Sequence, residues 1–483
     1  MARLSVAEIA AAVDGRIAAG DPAAVCSGAA IDSRAVRGGE VFFAFAGEQT
    51  DGHLHLADAF ARGAGAAVVQ AGHPRQEAPA GSPVIEVADT IRALHDLARH
   101  ARDRGVPRRL VGITGSAGKT TTKELLAALL AARFPVAWTP GNLNNLYGFP
   151  LSLLNVPDGT EWMVAEMGMS TPGELRRLSL LGRPDAAVFT VVRPVHLEFF
   201  ASVRGIAEAK SELLAGLAVD GLVVANADDP EVSRIARRHA ESPGFQGRLV
   251  RYGIHSAADV RARDIAPESV GSSGAIGSRF VLAAGGGQVA ARLPIHGLYN
   301  VENCLAAAAC AWAVGVPLAE IAAALQGVRS AAMRGVVHRL EGPRGAFTLI
   351  DDSYNSNPDA LGRALESAAL LPGERHLAVL GDMLELGPQG PDFHRESGER
   401  AARLGFAPVA GVGELARELV AGAGAAGAEA LWLPDAAAAA RWAFDAVREG
   451  DVVLIKGSRG IKLDTVVREL KERCAVHPAE GRA

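Results

Sequence analysis

Cysteine is scarce and scattered in this chain of 483 residues. The four cysteines show no metal-ligand spacing. A chain of this length also does not need disulfide bonds to hold a core. This pattern argues against a zinc module and against a small disulfide-stapled secreted domain, and we expect a protein of a reducing cytoplasm.

Long apolar runs and an excess of positive charge are missing as well. No run approaches the roughly 18 apolar residues of a membrane span, and Glu8 and Asp14 interrupt the segment where a signal peptide would need an apolar core. The formal net charge of −5 leaves no basic excess for a nucleic-acid backbone or an anionic membrane. We expect small-molecule partners, no nucleic acid, no membrane insertion and a monomer.

Lysine is the third scarcity, because only six of the 49 lysine and arginine residues are lysine. Arginine is the default cation of this chain, and only a lysine amine can lose its proton near neutral pH. Where a lysine is kept, we expect that the compact primary amine is needed. The six are Lys119, Lys123, Lys210, Lys456, Lys462 and Lys471.

Asparagine is also rare, with nine in the chain, yet seven fall in three short clusters that hold three of the four tyrosines. Turn formation would explain any one cluster, but turns elsewhere in the chain use Gly, Asp and Pro. An amide side chain can orient a phosphate or a carboxylate without adding charge. The clusters are Asn142, Asn144, Asn145 and Tyr147; Tyr299, Asn300 and Asn303; and Tyr354, Asn355 and Asn357.

The length predicts several domains, since about 150 residues per domain gives roughly three. Residues 1–105 mix short apolar runs with helical stretches and end in the linker-like "RDRGVPRR". Residues 106–331 and 332–483 each alternate β-rich runs with helical ones, and a glycine turn within 279–295 predicts a hairpin. We expect an α/β fold of three domains: a small α/β N-terminal domain, a central P-loop ATPase-type domain with a mostly parallel sheet, and a C-terminal Rossmann-like domain. The cleft between the last two is the expected site of chemistry.

The stretch "GITGSAGKTTTKELL", residues 112–126, predicts a phosphate-binding loop between a strand and a helix. Gly115 and Gly118 let backbone amides approach phosphate oxygens, Lys119 reaches the terminal phosphates, and Thr120 can hold Mg²⁺. The usual first glycine would fall at residue 113, which is isoleucine. This departure argues against generic GTPases and motor ATPases but keeps the phosphate cradle.

Polar residues follow the later strands of the predicted central sheet. Glu166 ends "EWMVAE", where a magnesium ligand beside the phosphates is a better interpretation than a helix cap. His196 follows the third strand and is either structural or a ligand of a second metal. Lys210 lies in a helical stretch where a solvated lysine is the alternative reading. Asn145 belongs to "TPGNLNNLYG", which alone is also read as a turn.

The chain carries, in order, "GITGSAGKTTT", "NLNNLYGFPLSLL", "AEMGMSTPGEL", "HLEFF", "AKSEL", "NADDP", "GLYNVENCLAAAA", "MRG", "LIDDSYNSNPDAL", "GDMLELG" and "KGSRG". This series resembles the Mur ligases in order and spacing. The segment "IDSRAVRGGEVFFAFAGEQTDGHLHLADAFARGAGAAVV" resembles the UDP-sugar-binding domain of that family. Within the family, "DDSYNSNP" and "GDMLELG" are most similar to the members that add D-alanyl-D-alanine to UDP-N-acetylmuramoyl-tripeptide.

The resemblance implies an ATP-dependent, Mg²⁺-dependent ligase of bacterial peptidoglycan precursor synthesis. The substrate carboxylate takes the γ-phosphoryl group of ATP, and an amine then displaces phosphate from the acyl phosphate. Two anions must meet in this reaction, so metals and cations have to neutralise them. Domain closure belongs to the implied mechanism, because part of the site comes from the C-terminal domain.

Site residues are carried over by position from the same resemblance. The implied catalytic set is Lys119, Glu166, His196, Lys210 and Arg334, and the implied metal ligands are Thr120, Glu166, His196 and Lys210, the last as a carbamate. The implied nucleotide contacts are Gly115, Ser116, Ala117, Gly118, Lys119, Thr120, Thr121, Asn145, Asn300, Asn303, Arg334 and Asp352. The implied substrate contacts are Ser33, Arg34, Asp51, Gly52 and His53 for the UDP-sugar, with Tyr354, Asn355, Asn357, Asp382 and Arg459 in the C-terminal domain.

Two departures and two alternatives stay open at this point. Relatives commonly carry an asparagine where this chain has Val191, and Arg193 sits in the turn before His196, so the turn at the second metal differs. A sister ligase that adds another amino acid is one alternative, although the "DNPR" signature of the diamino-acid ligase is absent. A P-loop switch ATPase is the other, and it would leave the second α/β domain and the asparagine clusters unexplained.

Overall fold

The computed structural model describes residues 3–47, 50–195, 198–200, 202–270, 275–329 and 332–476. Within these ranges the chain forms three successive α/β units, each built around its own sheet, which confirms the predicted fold class. The main sheets fall within residues 16–87, 109–293 and 336–476, inside the three predicted domain ranges. The exact boundaries remain predictions. No helix in the described ranges is long and apolar enough to cross a membrane.

The N-terminal unit is a small sheet covered by three helices. Its strands are β1 (Leu4–Ser5), β2 (Arg16–Ala19), β3 (Val25–Cys26), β4 (Ala29–Ala30), β5 (Val41–Phe43), β6 (Ala66–Gln70) and β7 (Val84–Val87), and its helices are α1 (Val6–Ala12), α2 (Leu56–Ala61) and α3 (Thr90–Asp103). The five-stranded sheet has the order β2-β7-β6-β5-β4, with β2 antiparallel and the rest parallel. Ser5 caps the start of α1. Its hydroxyl accepts from the Glu8 amide and the Glu8 carboxylate accepts from the Ser5 amide, which is a capping box.

The central unit is a nine-stranded sheet of order β16-β15-β14-β13-β12-β11-β8-β10-β9. Its strands are β8 (Arg109–Thr114), β9 (Val136–Trp138), β10 (Trp162–Glu166), β11 (Ala186–Phe189), β12 (Leu222–Asn226), β13 (Arg248–Gly253), β14 (Val260–Val270), β15 (Ala275–Ala284) and β16 (Gly287–Leu293). Its helices are α4 (Lys119–Ala131), α5 (Gly148–Leu154), α6 (Glu174–Gly182), α7 (Val203–Ser211), α8 (Pro230–Ala240), α9 (Leu298–Ala313) and α10 (Leu318–Leu325). Strands β9 to β14 run parallel, and β15 and β16 form the predicted hairpin.

The C-terminal unit has a seven-stranded sheet of order β21-β20-β19-β22-β18-β17-β23. Its strands are β17 (Val336–Gly342), β18 (Gly345–Asp352), β19 (His376–Gly381), β20 (Phe406–Val412), β21 (Ala430–Leu433), β22 (Val452–Lys456) and β23 (Ala475–Val476). Its helices are α11 (Pro358–Ala369), α12 (Gly390–Arg403), α13 (Ala416–Ala425), α14 (Ala436–Ala446) and α15 (Asp464–Arg473). The strands from β21 to β18 are parallel, as expected for a Rossmann-like sheet.

The two junctions between units differ in their chemistry. A single buried apolar cluster runs from Leu4 through Leu97 on α3 to Phe149 on α5 and Ala236 on α8, so the N-terminal and central units share a core. The Asn155 side chain adds hydrogen bonds to both the amide and the carbonyl of Ala29 at the edge of β4, each 2.9 Å long. The buried clusters of the C-terminal unit contain no buried residue of the central unit, and one half-buried residue of that unit, Ile276 on β15, packs against one of them. Because packed apolar contacts resist separation, the first junction is the more rigid.

Candidate functional site

The phosphate-binding loop has the geometry that its sequence predicts. Strand β8 ends at Thr114, and α4 begins after Gly118, whose φ of 82° favours glycine. A Cβ added at Gly118 would lie 2.1 Å from Asn303 Oδ1, so a side chain has no room there. At the start of α4, the Thr122 amide is the first to donate to a backbone carbonyl, that of Gly118, at 2.9 Å. The amides of residues 117–121 are therefore available to an anion at the helix N-terminus.

The loop is held from behind by the segment that follows β11. The Thr190 hydroxyl donates to the Ala117 carbonyl at 2.6 Å, and the Ser116 amide donates to the Val191 carbonyl at 2.7 Å. The Ser116 hydroxyl donates to the Arg193 carbonyl at 3.0 Å and accepts from the Arg193 amide at 2.9 Å. The turn that contains Val191 and Arg193 is thus bonded directly to the phosphate loop.

Glu166 lies beside the loop because β10 and β8 pair in parallel, with Glu166 opposite Ile113. Its carboxylate is 3% exposed and accepts from the Thr120 hydroxyl at 2.7 Å and from Asn144 Nδ2 at 2.8 Å. A hydroxyl and a carboxylate are hard oxygen donors, the type that Mg²⁺ takes beside phosphates. This pair fits the metal site that the sequence predicts.

Two adjacent asparagines of the loop at residues 142–145, called the asparagine loop below, make different contacts. Asn144 supports Glu166, whereas Asn145 Oδ1 accepts from the amides of Tyr147 and Gly148 at 3.1 and 2.9 Å, so it caps the start of α5 while it lines the cavity. The sequence singles out the cluster, but its motifs assign a contact to Asn145 and none to Asn144. Which of two adjacent amides faces the carboxylate depends on the turn, and no sequence signal gives that.

Two lysines of the predicted set, Lys119 and Lys210, line the same cavity as Glu166. Lys119 Nζ donates to the Gly115 carbonyl at 2.9 Å, and burial lowers its pKa against the opposing effect of Glu166. Lys210 on α7 is 3% exposed and lines the cavity, and it makes no side-chain hydrogen bond or ion pair among the described residues. Burial lowers the pKa of Lys210 well below its ordinary value, and the charge of Lys119 adds to this. His196, the other predicted metal ligand, lies outside the described residues.

The two predicted asparagines of α9 lie next to the phosphate loop. Asn300 is 1% exposed, donates to the His296 carbonyl at 2.6 Å and accepts from Asn303 Nδ2 at 3.4 Å. Asn303 in turn lies against Gly118, as the close approach of its Oδ1 shows. The pair therefore joins the start of α9 to the phosphate loop.

Arg334 lies in a linker that bends sharply on both sides. Met333 has a φ of 62°, unusual for a residue with a side chain, and Gly335 has a φ of 69°. The Arg334 guanidinium lies 4.0 Å from the centre of the Tyr354 ring, a cation–π contact, and it lines the same cavity as Lys119. The linker thus directs the Arg334 guanidinium into the cleft.

Asp352 at the end of β18 is held by Lys456, the first residue of the "KGSRG" motif, to which the resemblance assigns no role of its own. Lys456 Nζ lies 2.7 Å from Asp352 Oδ2 and donates to the Asn355 carbonyl at 2.9 Å. Burial raises the pKa of Asp352, and Lys456 opposes that rise. Asn357 caps α11 by accepting from the Ala360 amide at 2.9 Å. The scarcity of lysine is the available signal for Lys456.

A cavity of about 400 Å³ joins these groups between the central and C-terminal units. Its walls include the loop residues around Lys119, the Glu166 carboxylate and Lys210 from one side, and Arg334 and Asp352 from the other. The predicted contacts Ser116, Ala117, Gly118, Thr120, Thr121, Asn145, Asn300, Asn303, Tyr354, Asn355 and Asn357 also line it. The cleft predicted between the two α/β units is therefore present.

The predicted UDP-sugar residues form a separate polar group in the N-terminal unit. Asp51 accepts from His53 Nδ1 at 2.7 Å, and His73 Nε2 lies 2.6 Å from its second oxygen. Burial raises the pKa of Asp51, but the histidine hydrogen bonds outweigh it and bring the pKa to about 2. His53 Nε2 accepts from the Gln70 amide at 3.0 Å, which places the proton on Nδ1 and makes that atom a donor to Asp51 and not a metal ligand. His73 is absent from the predicted set, because no local motif marks it.

The other residues predicted for the UDP-sugar lie at the starts of two short 3-10 helices of this unit. Ser33 and Arg34 belong to Ser33–Ala35, and Arg34 pairs with Asp32 through Nη2 at 2.7 Å. Gly52 begins Gly52–His55, directly after Asp51, and a Cβ there would lie 2.8 Å from the Phe45 amide. Arg34 is exposed and Gly52 has no room for a side chain.

The two dipeptide candidates have different surroundings. Asp382 is 6% exposed and its carboxylate accepts from the Ala416 amide at 2.7 Å, at the start of α13. Arg459 is exposed, 3.4 Å from Asp464, and its Nη1 lies 3.4 Å from Met333 Sδ beside the linker. Neither lines the cavity described above. Asp382 is thus engaged in the fold, and Arg459 is the more accessible of the two.

Three family models match the chain in succession. Residues 26–102 match the Mur ligase family, catalytic domain; residues 113–311 match the Mur ligase middle domain; and residues 337–459 match the Mur ligase, glutamate ligase domain. The three matches follow the order of the three sheets.

Curated proteins and solved structures give the same result over nearly the whole length. The chain is 33% identical over 457 residues to the UDP-N-acetylmuramoyl-tripeptide--D-alanyl-D-alanine ligase of Bacillus subtilis, covering 93% of this chain and 94% of that protein. It is 33% identical to the Escherichia coli protein of the same name, covering 91% and 93%. A crystal structure of MurF from Acinetobacter baumannii superposes with a TM-score of 0.84 at 28% identity, covering 97% and 99%. MurF ligase from Thermotoga maritima in complex with ADP gives 0.77 at 28% identity, covering 92% and 97%.

Proposed function

The chain belongs to the Mur ligase family, and we propose that it joins D-alanyl-D-alanine to UDP-N-acetylmuramoyl-tripeptide. The reaction consumes ATP, forms an amide bond and releases ADP and phosphate, as a step of peptidoglycan precursor synthesis. Curated relatives that carry this name match more than nine tenths of the chain, and a MurF structure of the same fold contains ADP.

The observation that carries the proposal is the composition of the central cavity. Lys119 and the free amides of the phosphate loop face Arg334 and Asp352 across a space formed by two units of the chain. A switch ATPase needs only the first half of this site. The second half gives an acyl phosphate and an incoming amine an enclosed space in which to meet, and enclosure excludes water as a competing nucleophile.

The residues at the phosphates have distinct tasks in phosphoryl transfer. The loop amides and Lys119 bind the phosphate oxygens, and Arg334 approaches the γ-phosphate from the C-terminal side. Asn300 and Asn303 hold the start of α9 against the loop, and so orient the nucleotide. Positive charge on both sides of the γ-phosphate reduces the repulsion between the substrate carboxylate and ATP, and phosphate is then a far better leaving group than oxide.

Thr120 and Glu166 are the residues that would hold Mg²⁺. Their oxygens lie 2.7 Å apart at the buried end of the loop, and Asn144 fixes the second carboxylate oxygen. When bound, Mg²⁺ neutralises the charge that develops on the transferred phosphoryl group. Thr120→Val and Glu166→Gln each remove one donor, and we expect a higher concentration of Mg²⁺ at half-maximal activity in both.

Lys210 is proposed to act as a carbamate. Its amine is buried in the cavity wall with no acidic partner among the described residues, which favours the neutral form. A neutral amine adds to the carbon of CO2 and releases one proton, which converts a cationic side chain into an anionic metal ligand. His196 would serve the same second metal. A gently prepared sample should show the mass of one added CO2, and Lys210→Ala should regain activity with short carboxylates; full activity without them would contradict the proposal.

The two organic substrates would enter from opposite ends. We assign the UDP-sugar to the N-terminal unit, with Ser33, Arg34, Gly52 and the Asp51–His53 pair as its contacts. For the dipeptide we assign Asp382 and Arg459 of the C-terminal unit, where Arg459 offers a cation to the carboxylate. Tyr354, Asn355 and Asn357 are further substrate contacts of the same unit. Domain boundaries at 105/106 and 331/332, a monomeric state and a cytoplasmic location belong to the same proposal, and the four buried free cysteines are compatible with a reducing compartment.

A phosphate-release assay tests the proposed reaction. Purified chain, ATP, Mg²⁺ and UDP-N-acetylmuramoyl-tripeptide should release phosphate only when D-alanyl-D-alanine is present. Release that needs ATP alone would favour the switch ATPase, and release with a single amino acid in place of the dipeptide would favour a sister ligase. Either result would overturn the proposal. Lys119→Met, which keeps the length of the side chain but removes its charge, should abolish the release.

A further inference from the structure

Four charged residues link the central and C-terminal units at the edge of the cavity. Arg193 Nε lies 3.0 Å from Asp359 Oδ1, Arg363 Nε lies 3.1 Å from Asp359 Oδ2, and Arg363 Nη1 lies 2.6 Å from Glu302 Oε2. Arg193 and Glu302 belong to the central unit, whereas Asp359 and Arg363 lie on α11. The signs therefore alternate along the chain of contacts and cross the junction twice.

These four side chains are less exposed to solvent than an ordinary surface ion pair. The side chains of Arg193, Asp359 and Arg363 are each 24% exposed and that of Glu302 is 16% exposed. Arg193 is fixed on the central unit by Asp229, which is 1% exposed and 2.6 Å from its Nη1. A network of half-buried, oriented pairs loses less side-chain entropy per contact than isolated pairs do.

Arg193 also connects this group with the phosphate loop. Its backbone amide and carbonyl both bond the Ser116 hydroxyl, at 2.9 and 3.0 Å. Ser116 is the first loop residue after Gly115, so a nucleotide that shifts the loop also shifts the residue that reaches Asp359. Among the described residues the two units share no cluster of buried apolar side chains, and one half-buried residue of the central unit, Ile276, packs against a cluster of the C-terminal unit. Polar contacts therefore contribute much of what holds the two units together.

We propose that Arg193, Asp359, Arg363 and Glu302 form an interdomain ionic latch that holds the C-terminal unit closed over the nucleotide cavity. They are positioning residues: the latch sets the population of the closed arrangement and keeps the start of α11 at the cavity wall. Its kinetic consequence rests on the proposed function, but the closed arrangement itself does not. Removing one pair shifts the open–closed equilibrium by about fivefold, the factor that one such pair carries.

Small-angle scattering of the nucleotide-free chain tests the latch without any activity. The variants are Arg193→Gln, Asp359→Asn and the double variant, with Glu302→Gln as an independent break of the second pair. We expect each to have a larger radius of gyration than the parent chain, and ADP should restore the compact form. Sodium chloride at about 0.5 M should expand the parent chain in the same direction but to a smaller extent, because half-buried contact pairs are only partly screened by salt.

Glu366→Gln is the matched control. Glu366 lies on the same helix, but its partner Arg400, at 2.6 Å, belongs to the C-terminal unit as well. The control should scatter like the parent chain. If Asp359→Asn and Glu302→Gln scatter like the control, with and without salt, the latch does not exist.

Steady-state kinetics give the second readout. The latch variants should raise the KM for ATP about fivefold and leave kcat within about twofold, since saturating ligands close the unit without the latch. Arg193 does not line the cavity, so Arg193→Gln cannot remove a direct contact with the nucleotide. If it raises the KM for ATP as much as Asp359→Asn does, and the double variant raises it no further, the common cause is lost closure and not a lost nucleotide contact. Additive effects would overturn the latch, whereas an inactive parent chain would contradict only the proposed function.

Discussion

Lys123 offers the sharpest test of how a buried lysine supports this site. The side chain is fully buried on α4, and Nζ donates to the carbonyls of Thr139 and Gly141 at 2.8 and 3.0 Å. Nζ also lies 3.0 Å from Glu124 Oε1. These contacts tie the phosphate-loop helix to the start of the asparagine loop.

The substitution Lys123→Met keeps the length of the side chain and removes its three donors. Each hydrogen bond from a charged group contributes about 1.5–3 kcal/mol, and the two carbonyls would lose their donor. Removing a buried charge offsets part of this loss, and methionine fills most of the space. We expect a net loss of about 2–4 kcal/mol, which lowers the melting temperature of a domain this size by about 10 °C.

The same change should reduce catalysis, because the loop that Lys123 anchors also carries Asn144, the partner of Glu166. A shift of the Glu166 carboxylate, the proposed magnesium ligand, by an ångström would lower kcat by about tenfold or more. The assays are differential scanning calorimetry and phosphate release. Lys471→Met, at an exposed lysine of α15, is the control. A melting temperature and a kcat equal to those of the control would refute this reasoning.

Three further substitutions test other parts of the site. Gly118→Ala puts an alanine in a left-handed backbone conformation, which costs about 1–2 kcal/mol, and pushes its Cβ against Asn303. It should weaken ATP binding at least tenfold in a nucleotide titration. Unchanged affinity would count against the close approach of Asn303 to Gly118. Lys210→Met removes an amine that has no partner among the described residues, so it should abolish activity and yet raise the free energy of unfolding by about 1–3 kcal/mol. In metal-free, CO2-free buffer this gain appears as a higher melting temperature. Because burial lowers the folded pKa of Lys210, this gain should be largest at low pH and vanish as pH rises towards about 10; a constant gain would contradict it. Asp51, with its pKa lowered to about 2, should contribute about 2 kcal/mol that is complete above about pH 4 and lost as pH falls towards 2; Asp51→Asn should remove that slope from acid unfolding curves, and an unchanged slope would show that its pairing with His73 stabilises nothing.

The sequence predicts the parts of this site that depend on local order. The three α/β units, the hairpin within 279–295 and the strand-loop-helix at the phosphate loop follow from periodicity and glycine placement, and the structure has all of them. Glu166 is predictable because the end of a parallel strand next to the phosphate loop has a fixed position. The scarcity of lysine marks Lys210 and Lys456 as side chains that need a primary amine, and both line the cavity.

Residues whose role depends on distant partners could not be predicted in this way. His73 faces Asp51 only because β6 and its following turn pass the short 3-10 helix, and Asp359 reaches Arg193 only because two units meet. Asp382 stays a predicted dipeptide contact, but the bond that its carboxylate accepts from the Ala416 amide has no signal in the sequence. One-dimensional patterns give the chemistry of a side chain, whereas the identity of its partner is set by tertiary packing.

The contrast between the two junctions bears on how the reaction can be organised. The N-terminal and central units share an apolar core, so a UDP-sugar held near Asp51 and a nucleotide held at Lys119 would sit on one rigid body. Phosphoryl transfer from ATP to a carboxylate needs that fixed geometry, because small misplacements are costly. The C-terminal unit meets this body through a few contacts of mixed kind: the half-buried Ile276, a hydrogen bond between His296 and Ser367, and ion pairs such as Arg193–Asp359. Exposed or half-buried ion pairs break and reform at small cost. Motion is thereby confined to the unit assigned to the incoming amine, which must arrive after the acyl phosphate is formed and leave as part of the product.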